Sequence, residues 1–421
     1  MTKKIIYISI FISLTFFTTF PQSKILINMD LNQTDHLKAY GITYRALTKG
    51  YKADWLLNYK GGSFLIDYSD ELAGECRLNN VSFETVSFSQ ATEIYSFVQS
   101  EENNMDVVRL EKAPKVAVYV PPGFFPWDDA VTLALEYAQV PYDKIWNDEI
   151  LKGELDNYDW LHLHHEDFTG QYGKFYASFA NAQWYIDQQL LYEQNAKQNG
   201  FKKVSEMMRS VAIDIKNYVG KGGFLFAMCS ATDSYDIALS AVNVDICEQM
   251  YDGDAADPNA QQKINYDNTL AFTNFKLEMN PYVYEYSDID IQPMEVGNFE
   301  NDYFTLFEFS AKYDPVPTML TQSHANIIRG FMGQTSMFRR NTIKNSVTIL
   351  AERKGTDQVK YIHGNFGRGT FTFYGGHDPE DYQHAVGDPP TDLNLHKNSP
   401  GYRLILNNIL FPAATKKKQK T

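Results

Sequence analysis

The sequence predicts an α/β protein built on a doubly wound parallel sheet, and three stretches predict it. Residues 115–120 form an apolar strand pattern broken by Pro121-Pro122-Gly123, and 127–138 then place Ala130, Leu133, Ala134, Tyr137 and Ala138 on one helical face. Residues 205–219 carry Met208, Val211, Ala212, Ile215 and Val219 on one stripe, Gly220 suits the C-cap, and 223–228 read as the next strand. Apolar strands at 346–351, 359–363 and 370–374 follow, before a closing helix at 402–410. Strand, turn and helix repeated in this order are how a doubly wound sheet is laid down.

Ahead of this unit, 24–29 read as a short strand and 34–48 as a helix, with Leu37, Tyr40, Ile42, Tyr44 and Leu47 in helical register before Gly50. A strand at 51–57, a turn at Gly61-Gly62, a strand at 64–66 and a helix at 87–99 complete an N-terminal α/β domain of alternating type, expected over 23–112. The charged stretch 105–113, ending at Pro114, is its expected boundary, and the second domain runs 113–412. Inside that domain 160–164 is a further strand. Residues 241–345 have poor periodicity and scattered prolines, and read as a large insertion packed on the main sheet.

Lys3 and Lys4, the uncharged apolar run 5–20 and Pro21-Gln22-Ser23 read as a signal peptide over 1–22. The alternative is an uncleaved anchor, but the run falls short of the roughly 20 apolar residues a spanning helix needs. An exported protein, periplasmic or extracellular and without stable membrane insertion, is therefore expected. No Cys follows the run to accept a lipid. A net charge of -14 argues against nucleic acid as a partner, because phosphates are held by excess Lys and Arg, and leaves a small-molecule ligand or substrate. The basic tail, 413–421, is expected to be solvated. Three cysteines, Cys76, Cys229 and Cys247, cannot all pair, so one thiol is left over.

Cys229 stands where the 223–228 strand stops and a helix begins, between the small residues Ala227 and Ala231. A nucleophile on such a turn is lifted off its sheet, and the helix N-terminus favours the thiolate. The competing reading is a buried cysteine that fills the strand end. Gly367-Arg368-Gly369 leads into the 370–374 strand, which delivers His377 at its end with Asp378 and Glu380 within reach. That set suits a Cys-His-carboxylate relay, in which the third group holds the imidazole in one tautomer. Alternatively His377 only caps the strand. In Trp160-Leu161-His162-Leu163-His164-His165-Glu166-Asp167 the period of two puts His162 and His164 on one side. A metal on His162 and His164 with a carboxylate is one reading, and a polar strand end lining the cleft is the other. The same rim is expected to gather His164, His165, Glu166, Ser230, Thr232 and Asp233. No cofactor is expected apart from that open metal reading. Residues 252–259, rich in Asp around Gly253, lack the spacing of an EF-hand and read as a solvated acidic loop. The 28 Tyr and 28 Phe can stack on sugar rings or simply fill a core.

The order helix-Gly-Gly-strand-Cys229, then Gly-x-Gly-strand-Gly-His377, resembles the class I glutamine amidotransferase-like superfamily, including its trehalose-utilisation-type branch, over about 115–240 and 346–410. The resemblance implies a flavodoxin-like parallel sheet and a Cys229-His377-carboxylate site for an amidase or hydrolase. This chain has Ala-Met-Cys-Ser-Ala in place of Gly-x-Cys-x-Gly, and His-Asp-Pro-Glu, one residue longer than the family's His-x-Glu. The whole chain also resembles exported bacterial proteins commonly labelled asparagine synthetase B. Residue 2 is Thr rather than the synthetases' N-terminal Cys, and no Ser-Gly-Gly-Leu-Asp-Ser loop occurs, so synthetase chemistry has no motif here. The expected function is a Cys-dependent amidase or hydrolase. The alternatives are a non-catalytic small-ligand or carbohydrate-binding protein and a metal-dependent hydrolase.

Overall fold

The computed structural model describes residues 23–122, 129–291, 302–383 and 388–415. The expected signal peptide, the start of the 127–138 helix and residues 416–421 of the tail lie outside them. Among the described residues the chain is a mixed α/β protein with two sheets.

The first sheet holds β1 (Lys24–Ile27), β2 (Ala53–Leu57), β3 (Ser63–Asp67), β4 (Glu84–Val86) and β5 (Asp106–Leu110), in the order β4-β1-β3-β2-β5. Every neighbouring pair is antiparallel rather than alternating βαβ. The connection from Leu57 to Ser63 explains this at β2 and β3: it reverses through left-handed Asn58, Lys60, Gly61 and Gly62, too short for the crossover a parallel pair requires. The 105–113 stretch, expected as a boundary, contains edge strand β5. Its Asp106, Val108 and Leu110 are buried, and Arg109 pairs with Asp54 across the sheet. The helix His36–Thr48 starts at Asp35, whose carboxylate accepts from the Lys38 N–H at 2.9 Å.

The second sheet contains β6 (Val116–Tyr119), β7 (Asp143–Ile145), β8 (Trp160–Leu163), β9 (Phe224–Met228), β10 (Tyr303–Leu306), β11 (Ile327–Arg329), β12 (Phe338–Arg339), β13 (Thr348–Glu352), β14 (Gln358–Phe366) and β15 (Gly369–Tyr374). Across it run β11-β10-β13-β14-β15-β9-β8-β6-β7, with β12 beside β14. The five strands from β15 to β7 are parallel, and those beyond β15 are antiparallel. The insertion expected over 241–345 thus supplies β10, β11 and β12 to the main sheet.

Strand alternation sends the two faces to two cores. Val116, Val118, Trp160, Phe226 and Met228 pack with Leu37, Tyr40, Leu404 and Ile405, a core shared with the N-terminal unit. Ala117, Leu161, Leu163, Leu225 and Ala227 pack with Met208, Val211 and Ile215 of the helix Val204–Lys221. Arg403, on the helix Pro400–Leu410 and fully buried, donates to the carbonyls of Met29 and Gly61 and to the Tyr40 hydroxyl, fastening the first unit to the second. No helix among the described residues is long and apolar enough to cross a membrane.

Candidate functional site

Three neighbouring parallel strands, β15, β9 and β8, end on one rim, which is where open α/β sheets bind ligands. Cys229 follows β9. Its φ of 51° is left-handed, a conformation that costs a residue with a side chain roughly 1–2 kcal/mol and that concentrates at functional sites. The turn is held from both sides: the Cys229 N–H donates to Gly376 O at 3.2 Å and the Ala231 N–H to His164 O at 3.0 Å. The helix Ala231–Ser240 starts there, with Ser230, Thr232 and Asp233 fully buried. Thr232 closes the turn, its hydroxyl donating to Cys229 O at 2.6 Å.

Cys229 is 2% exposed, and its sulfur accepts from the Gln334 N–H at 3.3 Å. Burial pushes the thiol up to about 11, against the pull of the backbone N–H groups of Gln334, Thr335 and Ser230. Gln334 belongs to a segment seated by several buried groups. Thr335 Oγ1 donates to Asp233 at 2.8 Å, and the Ser336 N–H donates to Asp290 at 3.0 Å. Lys360 Nζ donates to Phe331 O at 2.6 Å and Ser336 O at 2.9 Å. Burial pushes the Asp233 carboxyl up to about 7 and brings the Lys360 amine down to about 7.

The histidines meet on the same rim. The rings of His164, which follows β8, and His377, which follows β15, lie 4.3 Å apart between centroids, and His165 stacks on His377 at 6.0 Å. One ligand atom from each of His164, His165 and His377 lies within 4.8 Å of the others. His162, expected beside His164 as a ligand, is instead engaged in the core: its Nδ1 lies 3.2 Å from Phe226 O and its Nε2 3.2 Å from Asp129. Asp129 also sits 3.4 Å from His164 Nδ1 and accepts from the N–H groups of Val131 at 2.7 Å and Thr132 at 3.1 Å. Burial alone would raise the Asp129 carboxyl, but His162 and His164 hold it well below the usual range.

The other expected site residues are placed as follows. Glu166 accepts from the His164 N–H at 2.7 Å, and burial pushes its carboxyl up to about 8. Asp378 accepts from Tyr402 at 2.8 Å, whereas Glu380 takes the Tyr382 hydroxyl at 2.9 Å and pairs with His396 at 3.0 Å. All three cysteines are free and buried. Asp245, Cys247 and Asp252 also cluster, but Lys203 occupies that position, 2.7 Å from Asp245 and 3.1 Å from Asp252. A pocket of about 220 Å³ lined by Lys174, Phe175, Phe179, Tyr282 and Tyr284 adjoins the site through Gln334, whose amide donates to Gly173 O and Tyr284 O. Sequence reading missed Asp129, Gln334 and Lys360. Asp129 announced itself only as an acid at a helix start, and the other two act across more than 100 residues or through backbone atoms.

No family model matches the chain, and no curated protein sequence matches it. Among solved structures it is similar to the cytoplasmic protein STM3548 of Salmonella typhimurium, at 10% identity and TM-score 0.34 over 72% of this chain and 100% of the other. The cytoplasmic protein STM1381 of Salmonella typhimurium LT2 aligns over the same shares, at 11% identity and TM-score 0.36. Gan42B, a GH42 β-galactosidase, aligns at 10% identity and TM-score 0.26, over 63% of this chain and 28% of its own. Similarity of this degree assigns no activity.

Proposed function

We propose that the chain is an exported thiol hydrolase or amidase on a flavodoxin-like, class I amidotransferase-like scaffold. The scaffold reading is supported by the parallel strands: in chain order β6, β7, β8, β9 and β15, they lie second, first, third, fourth, fifth across the sheet. The observation that carries the chemistry is Cys229, left-handed on a strand-to-helix turn between two histidine-bearing strand ends. A cysteine that merely fills a core has no need of such a backbone.

In this reading the Cys229 thiol gives its proton to an imidazole, His377 by position after β15, and the sulfur attacks the carbonyl carbon of a small amide or ester. The leaving amine or alcohol takes that proton back, and water then cleaves the thioester and regenerates the thiol. The backbone N–H groups around Ser230 face the developing charge. The carboxylate in place to orient an imidazole is Asp129, acting on His164.

The test is the rate of Cys229 alkylation against pH in a Cys76→Ser, Cys247→Ser protein, with and without His377→Ala. Burial and the backbone around Cys229 set the thiol at about 11, with no imidazole among the leading contributions; the expected result is that a paired His377 brings it below ~8.5 and that it rises again in the His377 variant. A thiol that titrates near 11 in both would sink the hydrolase and favour a small-ligand or carbohydrate-binding protein. The aromatic pocket beside Gln334 is the observation that supports this second reading.

A further inference from the structure

We infer that His164, His165 and His377 form a binding site for a divalent transition-metal ion of the zinc class. Three imidazoles and one open position make a coordination set that zinc uses. Borderline nitrogen ligands also suit nickel, copper and cobalt rather than calcium or magnesium. Zn–N bonds of ~2.0–2.1 Å place tetrahedral ligands about 3.3 Å apart. Atoms already within 4.8 Å of one another need only a small closure, and exposed His165 is the ligand able to supply it.

The stronger indication lies behind the ligands. A metal-binding histidine usually hands its second nitrogen to a carboxylate, which fixes the tautomer and aims the other lone pair. Asp129 is placed to do this for His164: its carboxylate lies 3.4 Å from Nδ1, a charge contact short of a formed hydrogen bond, and is itself fixed by His162 and two helix N–H groups. His164 Nε2 is then the nitrogen left for a ligand. It is buried and has no hydrogen-bond partner among the described residues, on a side chain that is 1% exposed. A buried polar atom without a partner calls for an explanation, and an absent ion supplies one. The grouping of Asp129, His162 and His164 is the supporting layer of this site rather than a second one, because the Asp129 oxygens already take two N–H groups and His162.

The site does not depend on the thiol reading, although it touches it. With a metal on its lone pair His377 cannot accept the Cys229 proton, so if the hydrolase reading holds, the ion suppresses hydrolysis.

The experiment is titration of chelator-treated full-length protein with zinc by calorimetry, and with cobalt(II) by visible absorption. One ion per chain is expected. His165→Ala, an exposed change that leaves the fold intact by circular dichroism, should weaken binding by at least the roughly 10–100-fold known for losses in the outer shell. Asp129→Asn, which keeps the helix cap, should weaken it within that same range, and Cys229→Ser should bind as the parent does. Binding that ignores His165→Ala, no binding at all, or loss of binding in Cys229→Ser would each overturn the assignment.

Discussion

Cys76 and Cys229 are both buried free thiols, and burial pushes both up, to about 12 and about 11. The regions around them differ. Cys76 sits inside the regular helix Asp70–Leu78, in a unit whose buried charge is fully engaged: Asp54 takes Arg109 Nε, Arg109 Nη2 at 3.1 Å and the Tyr95 hydroxyl at 2.6 Å. Cys229 sits on left-handed backbone, among buried polar atoms without partners in the described residues, including Ser230 Oγ, Asp233 Oδ2, His164 Nε2 and Tyr286 OH. Burial alone therefore does not distinguish the two thiols. Backbone conformation and unspent hydrogen-bonding capacity do.

The largest effect expected breaks the connection between the two regions. Arg403→Ala removes the donors of two buried carbonyls and of Tyr40, and should cost about 3–5 kcal/mol in urea unfolding. A loss under ~1 kcal/mol would show that the units hold together without this seam. Next is Asp233→Asn. The folded carboxyl is raised to about 7 from 3.8, so its contribution to stability is whole below pH ~4, erodes as pH rises, and is gone by about pH 7. At ~1.36 kcal/mol per pH unit, the Asn variant should gain on the order of 4 kcal/mol over the parent at pH 8 and nothing at pH 3.5. A pH-independent difference would contradict the buried neutral acid.

Substituting glycine gives the smallest effect and the sharpest contrast. Cys76→Gly loses helix propensity, ~1 kcal/mol, plus a small buried side chain, for a total of about 2–3 kcal/mol. Cys229→Gly loses a similar side chain but relieves left-handed backbone, so its net change should stay within about 1 kcal/mol. Equal losses in thermal or urea melts would mean that the Cys229 turn stores no strain.

The parts of this architecture legible in the sequence were those with apolar runs between glycines. The 205–229 helix and strand and the 370–377 strand and histidine are where periodicity and breakers agree, and the structure has a helix at Val204–Lys221 and strands at Phe224–Met228 and Gly369–Tyr374 there. Periodicity marks elements and not their direction, so β1, β2 and β3 were legible while their antiparallel pairing was not, and the short β4 and the charged edge strand β5 were not read as strands. The helix Gln183–Gln198 escaped notice because it buries only Tyr185, Tyr192, Asn195 and Ala196, too few for an apolar stripe. At the site, Cys229 and the histidines stood out as residue types with chemistry. The pairing of Asp129 with His162 spans 33 residues, and the approach of Gln334 to Cys229 spans 105, separations at which no local pattern operates.

The seam at Arg403 also sets an order of events. Arg403 and Met29 O meet across 374 residues, and Leu37 N–H donates to Lys397 O over a similar span. The β2–β3 hairpin is local and can form early, and the helix Ala130–Ala138 gives the first unit an early partner, but the seam at Arg403 cannot close until the helix Pro400–Leu410 exists. During synthesis the apolar face of the His36–Thr48 helix can be covered in part once the helix Ala130–Ala138 is made, whereas the part that meets Leu404 and Ile405 stays open until the last helix arrives.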